Sequence, residues 1–281
     1  MPSKDLLENV KKLREITGVG FKDCKLAIDE TGGDIEKSIE FLRKKGIAKA
    51  SNKMSRTASE GLCLVESRNN EISLIEINSE TDFVAKNKEF ISFCKEVSKI
   101  NFDKKSNLEE IKKFKMISGQ TVEDSLIDLI AKIGEKITLR RSIFFDNQNG
   151  INSFYIHNAL EENIGKIVSI VRTSKSDNVD IGKKISMHIS AMSPLALDKD
   201  SLDKKIIEKE TEIIKAELTN SGKKPEMIVK ISQGKINKFI SDNTLINQVW
   251  IMDSKKKVSD ILKENNIKIL DFVRYKVGEG I

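Results

Sequence analysis

Aromatic side chains make up only 5% of the 281 residues, with one Trp and two Tyr. Platforms on which nucleic-acid bases stack are therefore thinly supplied. Cysteine is scarce as well. Cys24, Cys63 and Cys94 are odd in number, lie far apart and form no CxxC pair. Each reads as a small buried hydrophobe. The two histidines, His157 and His188, have no metal-ligand spacing to each other or to a cysteine. No run approaches the roughly 20 apolar residues that span a bilayer. The N-terminus MPSKDLLENVKKLREITG lacks the apolar stretch of a secretory signal. A cytoplasmic, reduced protein with no membrane partner is the expectation. No GxxxxGK followed by Ser or Thr occurs, nor any GxSxG. A nucleotide-hydrolysing site of its own and an exposed nucleophilic serine are thus not expected. No pair of acids sits in an apolar frame that would separate an acid from a base. No catalytic residue, metal or cofactor is assigned.

What the chain does have is charge. Hydrophobic residues are 38% and charged residues 33% of the sequence. Its length allows two or three small domains. The net charge of +6 and pI near 9.0 invite a nucleic-acid reading. The lysines, however, are interleaved with 43 acids along the whole chain. Most therefore belong to solvated helix faces, and no direct nucleic-acid partner is expected. A basic RNA- or ribosome-binding module is the alternative from another class, and an enzyme is a third. The first predicts binding that falls steeply with salt.

The hydrophobic pattern gives an α+β chain. Leu6, Leu7, Val10 and Leu13 repeat at helical spacing up to Thr17-Gly18-Val19-Gly20. Phe21 to Asp29 predicts a second helix, stopped by Thr31-Gly32-Gly33. Asp34 caps a third, with Ile35, Ile39 and Leu42 inward and Gly46 beyond its end. These three helices look like a ubiquitin-associated-type domain. A small, polar, partly helical linker follows over residues 47–60. From Leu62 the period becomes two, with Arg68-Asn69-Asn70 as a turn. A helix is expected over 83–100 and another over 121–135. Ile137–Phe145 reads as a strand, with 154–156 and 166–172 as its partners, and a helix over 179–192. Strands followed by a helix occur twice, which predicts two related α+β subdomains. Residues 201–241 read as an antiparallel helical hairpin broken at Ser221–Pro225. It carries Ile206 and Ile213, and Ile207 and Ile214, each pair seven apart, then Ile228, Ile231, Ile236 and Phe239. Val258–Leu262 is helical, and Leu270, Phe272 and Arg274 alternate in a last strand. The expected parts are 1–54 (three-helix domain and linker), 55–145, and 146–281 with the hairpin inserted over about 195–241.

The run IEINSETDFVAKNKEF, residues 75–90, is the most informative motif. A strand runs into the polar cluster Ser79-Glu80-Thr81-Asp82, and Ser, Thr and Asp are the residue types that satisfy free N–H groups at a helix start. Phe83 would then sit at a helix tip, placed to project as a wedge into a partner. The competing reading is equally physical. Phe90, Cys94 and Val97 follow Phe83 at seven, eleven and fourteen residues, so Phe83 would extend a buried stripe. TGVGF at 17–21 resembles the start of a phosphate-binding fingerprint. Its third glycine is missing and a helix precedes it, so a tight inter-helix turn is the better reading. His157 is a candidate base by type, but a lone His near a strand is more often structural or a surface contact.

TDFVA, the segment 13–61 (LREITGVGFKDCKLAIDETGGDIEKSIEFLRKKGIAKASNKMSRTASEG), AKIGEKITLRR at 131–141 and VGEGI at 277–281 occur together and in order. In this combination the chain closely resembles bacterial translation elongation factor Ts over residues 6–281. The resemblance implies a guanine-nucleotide exchange factor that binds elongation factor Tu, in its GDP-bound and nucleotide-free states, and makes no covalent bond. It implies that Asp82 and Phe83, with Thr81 and Val84 of the same motif, work against helices beside the partner's Mg²⁺ and phosphate site. It places Phe21, helped by Arg14 and Lys22, against the partner's nucleotide-binding domain. The family commonly has Met at the first of these positions and often at Lys22. Ile133 is core by periodicity, but the resemblance places it at the interface, along with His157 and the apolar pair Ile251 and Met252. The family's Gln-Pro-Phe before that pair is Gln248-Val249-Trp250 here. The hairpin would contact another part of the partner or a second copy of this chain. Many family members continue past GEGI with a further helix that grips the partner, and that anchor is expected to be absent.

Overall fold

The computed structural model describes residues 4–17, 19–51, 53–175, 178, 180–219 and 225–281. Gly18 of the TGVGF turn and the expected hairpin break at residues 221–224 lie outside them. Contacts divide the chain into two compact units. Unit 1 comprises Met1–Ser67, Ile72–Phe144 and Lys276–Ile281, and unit 2 comprises Arg68–Glu71 and Phe145–Tyr275.

Unit 1 opens with α1 (Lys4–Thr17), α2 (Phe21–Glu30) and α3 (Ile35–Ser51). Val10, Leu13, Cys24, Ala27, Ile28 and Leu42 form their shared core. Asp34 accepts the Lys37 N–H at 3.0 Å, the cap expected from the sequence. Two expected inward residues, Leu7 and Ile39, are exposed instead, and Phe41 packs on the core beside Leu42. The glycine stop signal at Gly46 is overridden. α3 runs on to Ser51 because Gly46 is where it meets α7 (Val122–Ile133): a Cβ there would stand 3.3 Å from the Ala131 Cβ. Arg43 pairs with Asp124 across the same contact.

β1 (Glu60–Arg68) and β2 (Glu71–Ser79) are joined by Asn69 and Asn70, both at positive φ (53° and 66°). That is the two-residue turn that suits a twisted hairpin. Next come α4 (Asp82–Ala85), α5 (Lys88–Lys104) and α6 (Leu108–Ile111), then α7 and β3 (Ile137–Phe145). The strand order is β3-β2-β1, so β3 is not the partner of residues 154–156 and 166–172 that the sequence pattern implied. The physical reason is a buried charge. Glu76 of β2 is fully buried, and it needs cations. Arg140 and Arg141 of β3 supply them at 2.8 and 2.6 Å. The same carboxylate accepts the Gly278 N–H at 2.9 Å and the Asn78 side-chain amide at 3.0 Å. The VGEGI tail is thereby fastened to unit 1. Gly278 has φ +75°, and a Cβ on it would meet the Ser59 carbonyl oxygen at 2.1 Å, so glycine is required there.

Unit 2 holds β4 (Ile151–His157), β5 (Ile164–Gly165), β6 (Ile167–Thr173), α8 (Ile181–Met192), α9 (Lys204–Thr219), α10 (Pro225–Asn243), α11 (Val258–Glu264) and β7 (Ile269–Lys276). β4 and β6 pair antiparallel from Ile151↔Thr173 to His157↔Ile167, and the sheet order is β4-β6-β7. α8 packs on this sheet, and Ile185 and Ile189 join Val171, Leu245, Trp250 and Val258 in one core.

α9 and α10 pack on each other as the hairpin reading expected. Glu217 pairs with Lys235 at 2.8 Å, while Ile207 and Ile240 share a cluster. The early residue of one helix thus meets the late residue of the other, as antiparallel packing requires. Of the two stripes read in α9, the inner one is Ile207-Ile214 with Leu218. Ile206 and Ile213 face outward. The hairpin's base, Ala196, Leu202 and Ile240, forms a cluster separate from the main core. Replacing residues 210–238 with a short flexible loop is therefore expected to leave a single cooperative melting transition for unit 2. Its loss in calorimetry would show that the hairpin is integral to that core.

Candidate functional site

The strand β2 ends at Ser79, Glu80 and Thr81 follow, and α4 begins at once at Asp82. The cap is Thr81: its φ of −124° and ψ of 158° are extended, and its Oγ1 accepts the Val84 N–H at 3.4 Å. Asp82 is the first helical residue and pairs with Lys86 at 2.8 Å. α4 lasts one turn. Asn87 then caps α5, accepting from the Glu89 and Phe90 N–H groups at 2.8 and 3.3 Å. The helix expected over 83–100 is thus two helices. This break decides the two readings of Phe83. Phe90, Cys94 and Val97 form the buried face of α5, but Phe83 lies on the far side of the break and does not share their register. It is 80% exposed, whereas Val84 and Ala85 turn inward at 6% and 1%. The buried-stripe reading is overturned. Val84, which the resemblance assigns to the partner surface with the rest of its motif, is buried in the free chain and helps to hold the turn down.

Two carboxylates lock this tip to the segment after α7. Glu135 accepts the Thr81 N–H at 3.0 Å with one oxygen and the Thr81 hydroxyl at 2.8 Å with the other. Glu80 reaches the opposite way and accepts the Lys136 N–H at 2.6 Å and the Arg56 guanidinium at 3.2 Å. Burial raises the Glu80 carboxyl, but the Lys136 N–H and the Arg56 and Lys53 cations outweigh it and hold it below the usual carboxylate range. Gly134 ends α7 in the left-handed conformation, φ 85°, and so turns Glu135 toward Thr81. Ile133, read as core by periodicity, is only half-buried at this end of α7. Thr81, Asp82, Phe83 and the residues following Ile133 thus form one neighbourhood.

Elsewhere in unit 1, Arg14, Phe21 and Lys22 are exposed around the α1–α2 turn. Phe21 is the first residue of α2 and 45% exposed. A large apolar side chain again stands free at the start of a helix.

In unit 2, His157 is exposed at the end of β4, its Nδ1 3.4 Å from the Tyr155 hydroxyl. Ile251 and Met252 are exposed at 38% and 45% on the turn that follows Trp250. Val249 and Trp250, which depart from the family's pattern, leave this turn well held. Trp250 is buried, donates its N–H to the Lys256 carbonyl at 2.9 Å and stacks on His188 at 5.1 Å between ring centroids. His188, which the sequence singled out only for its lack of metal spacing, is the organiser. Its Nε2 meets the Gln248 side-chain oxygen at 3.0 Å, and its Nδ1 accepts the Ile251 N–H at 3.3 Å. That pattern fits a neutral ring with its proton on Nε2. Burial pulls the imidazole below the ordinary histidine value of 6.5, and the Gln248 hydrogen bond offsets this only in part. A lowered value means that the unfolded chain binds the proton first. The stability His188 confers is present above pH 6.5 and is lost as pH falls from there toward its folded value. The melting temperature is expected to fall between pH 7.5 and 5.5, and His188→Asn should flatten that slope. An equal slope in the variant would exclude His188 as its source.

Sequence reasoning missed Glu135 and Glu80 as holders of the α4 tip in unit 1, and His188 as the organiser of the Ile251–Met252 turn in unit 2. Glu135 lies inside AKIGEKI, but one acid after a helix-ending glycine carries no periodic signal. Among the described residues no group of three His, Cys, Asp or Glu side chains is placed to hold a metal ion, and no helix is long and apolar enough to cross a membrane. Cys24, Cys63 and Cys94 are all buried, as expected.

Comparisons with known proteins converge on one family. A family described as Elongation factor TS matches residues 80–279. Elongation factor Ts of Methylobacterium sp. (strain 4-46) is 41% identical, with 97% of this chain and 92% of that protein aligned. Elongation factor Ts of Gluconobacter oxydans (strain 621H) is 38% identical, covering 97% and 91%. Elongation factor Ts of Nitrobacter hamburgensis is 39% identical, covering 97% and 92%.

Proposed function

Because the chain belongs to the elongation factor Ts family, we propose that Phe83 and Asp82 act as its wedge, pressed against helices beside the Mg²⁺ and phosphate site of elongation factor Tu. The general activity is the family's: a non-catalytic guanine-nucleotide exchange factor for that GTPase. The observation that carries the proposal is an 80% exposed Phe83 on a turn whose neighbours are buried or bonded. An apolar ring held out in water at a fixed place loses nothing more in rigidity when it enters a partner. Pushing the partner's helices apart withdraws groups from Mg²⁺ and reorients the phosphate loop. GDP leaves, and GTP takes its place. The factor binds the nucleotide-free state better than the GDP state, so GDP and factor weaken each other reciprocally.

Phe21, with Arg14 and Lys22, forms a docking surface on the three-helix, ubiquitin-associated-like part. Ile133, His157, Ile251 and Met252 are further contacts, all at least partly exposed. The outward Ile206 and Ile213 of α9 and Val229 of α10 support a hairpin that meets another part of the partner or a second copy of the chain. Working on elongation factor Tu places the protein in the cytoplasm. The decisive measurement is the release of labelled GDP from purified elongation factor Tu with and without this chain. Acceleration that saturates with concentration is expected. An unchanged release rate would overturn the assignment.

A further inference from the structure

The exposed ring of Phe83 is carried by four helical residues, Asp82–Ala85. A single turn of helix does not hold itself together in water, because nucleation fixes several residues for one hydrogen bond. Something outside α4 must decide where Phe83 points. Val84 and Ala85 anchor its inner side. Its N-terminal end is set by Thr81, whose hydroxyl has two jobs. It accepts the Val84 N–H at 3.4 Å, and it gives its own proton to Glu135 at 2.8 Å. The second bond orients the first, since a hydroxyl that donates toward Glu135 keeps its lone pairs for the Val84 amide. Glu135 also takes the Thr81 N–H at 3.0 Å, so both donors of the cap residue end on one carboxylate. The return bond from Lys136 N–H to Glu80 at 2.6 Å closes the pair of segments from the other side.

We infer that Glu135 is a positioning residue for nucleotide exchange, fixing Phe83 through Thr81 while itself touching neither partner nor nucleotide. The inference rests on the wedge reading above and adds the device that makes the wedge stiff. A ring that inserts between helices transmits its binding energy only if its base does not yield. A site is as accurate as the shell that supports it. Loss of Glu135 leaves the Thr81 N–H and hydroxyl without their acceptor and lets α4 tilt or fray, with Phe83 still present.

The test uses the full chain and three variants, Glu135→Ala, Glu135→Gln and Phe83→Ala, with the double variant Phe83→Ala/Glu135→Ala. The readouts are the maximal rate of stimulated GDP release, the concentration for half that rate, and hydrogen exchange at the Thr81 and Val84 amides of the free chain. Glu135→Ala should lower the maximal rate by about 10- to 100-fold, up to the scale on which a misplaced group costs rate, and should leave the half-saturating concentration within about twofold, because Phe21, His157, Ile251 and Met252 keep their docking contacts. It should also speed amide exchange at Thr81 and Val84. Glu135→Gln, which keeps one acceptor oxygen, should recover part of the rate. In the Phe83→Ala background Glu135→Ala should cost nothing further, since non-additivity marks residues that act as one. A full second loss in that background would show that Glu135 acts independently of Phe83 and would overturn the inference. So would a wild-type maximal rate in Glu135→Ala. A wild-type chain that itself fails to release GDP would instead overturn the exchange reading on which the inference stands.

Discussion

Phe83→Ala is expected to slow stimulated GDP release by roughly 30-fold or more, the effect of losing a central aromatic hot spot worth about 2–4 kcal/mol. The melting temperature should stay within about a degree, because surface changes away from packed features fall within about ±0.5 kcal/mol. Phe83 is 80% exposed and so fills no cavity in the free protein. A buried Phe in the same place would cost about 3–5 kcal/mol on truncation, so the two outcomes are far apart. Stopped-flow release of labelled GDP and calorimetry on the same preparation separate them. A variant as stable as wild type and equally fast in exchange would refute the wedge.

Glu76→Gln is expected to be the most damaging conservative change to stability. The carboxylate is fully buried and receives Arg140, Arg141, the Gly278 N–H and Asn78. Removing one partner of a buried ion pair costs about 3–5 kcal/mol. Arg140 and Arg141 retain 20% and 30% side-chain exposure, so water can take over part of their charge and the lower end applies. For a chain of this size that lowers the melting temperature by roughly 6–12 °C. The pH dependence has a definite sign. Burial raises the Glu76 carboxyl, but the Gly278 N–H, the two arginines and Asn78 together bring it below its ordinary 4.5. Its contribution is therefore complete above pH 4.5 and is lost as pH falls from there through the folded value. Glu76→Gln should abolish that part of the acid sensitivity. An unchanged acid-melting profile in Glu76→Gln would assign the sensitivity to other carboxylates.

The amino-acid sequence determined the α+β class, nearly every helix and strand, the helical hairpin and the family. These follow from local signals: apolar spacing within one continuous element, the Asp34 cap, and short motifs read in order. Only the tertiary structure decided what lies between elements. Spacing alone ran Phe83 into the stripe of Phe90, Cys94 and Val97, because periodicity carries no mark of the register break at Lys86–Asn87. Gly46 signalled a helix end, but close contact with Ala131 made the missing side chain useful inside α3. β3 chose β2 because a buried Glu76 demanded two arginines more than 60 residues away. Glu135 and His188 are single polar residues whose roles come from partners 54 and 63 positions distant, Thr81 and the Ile251 amide. Hydrogen bonds and charge pairs of that range depend on where the folded backbone delivers each group, and no periodic pattern along the chain records it.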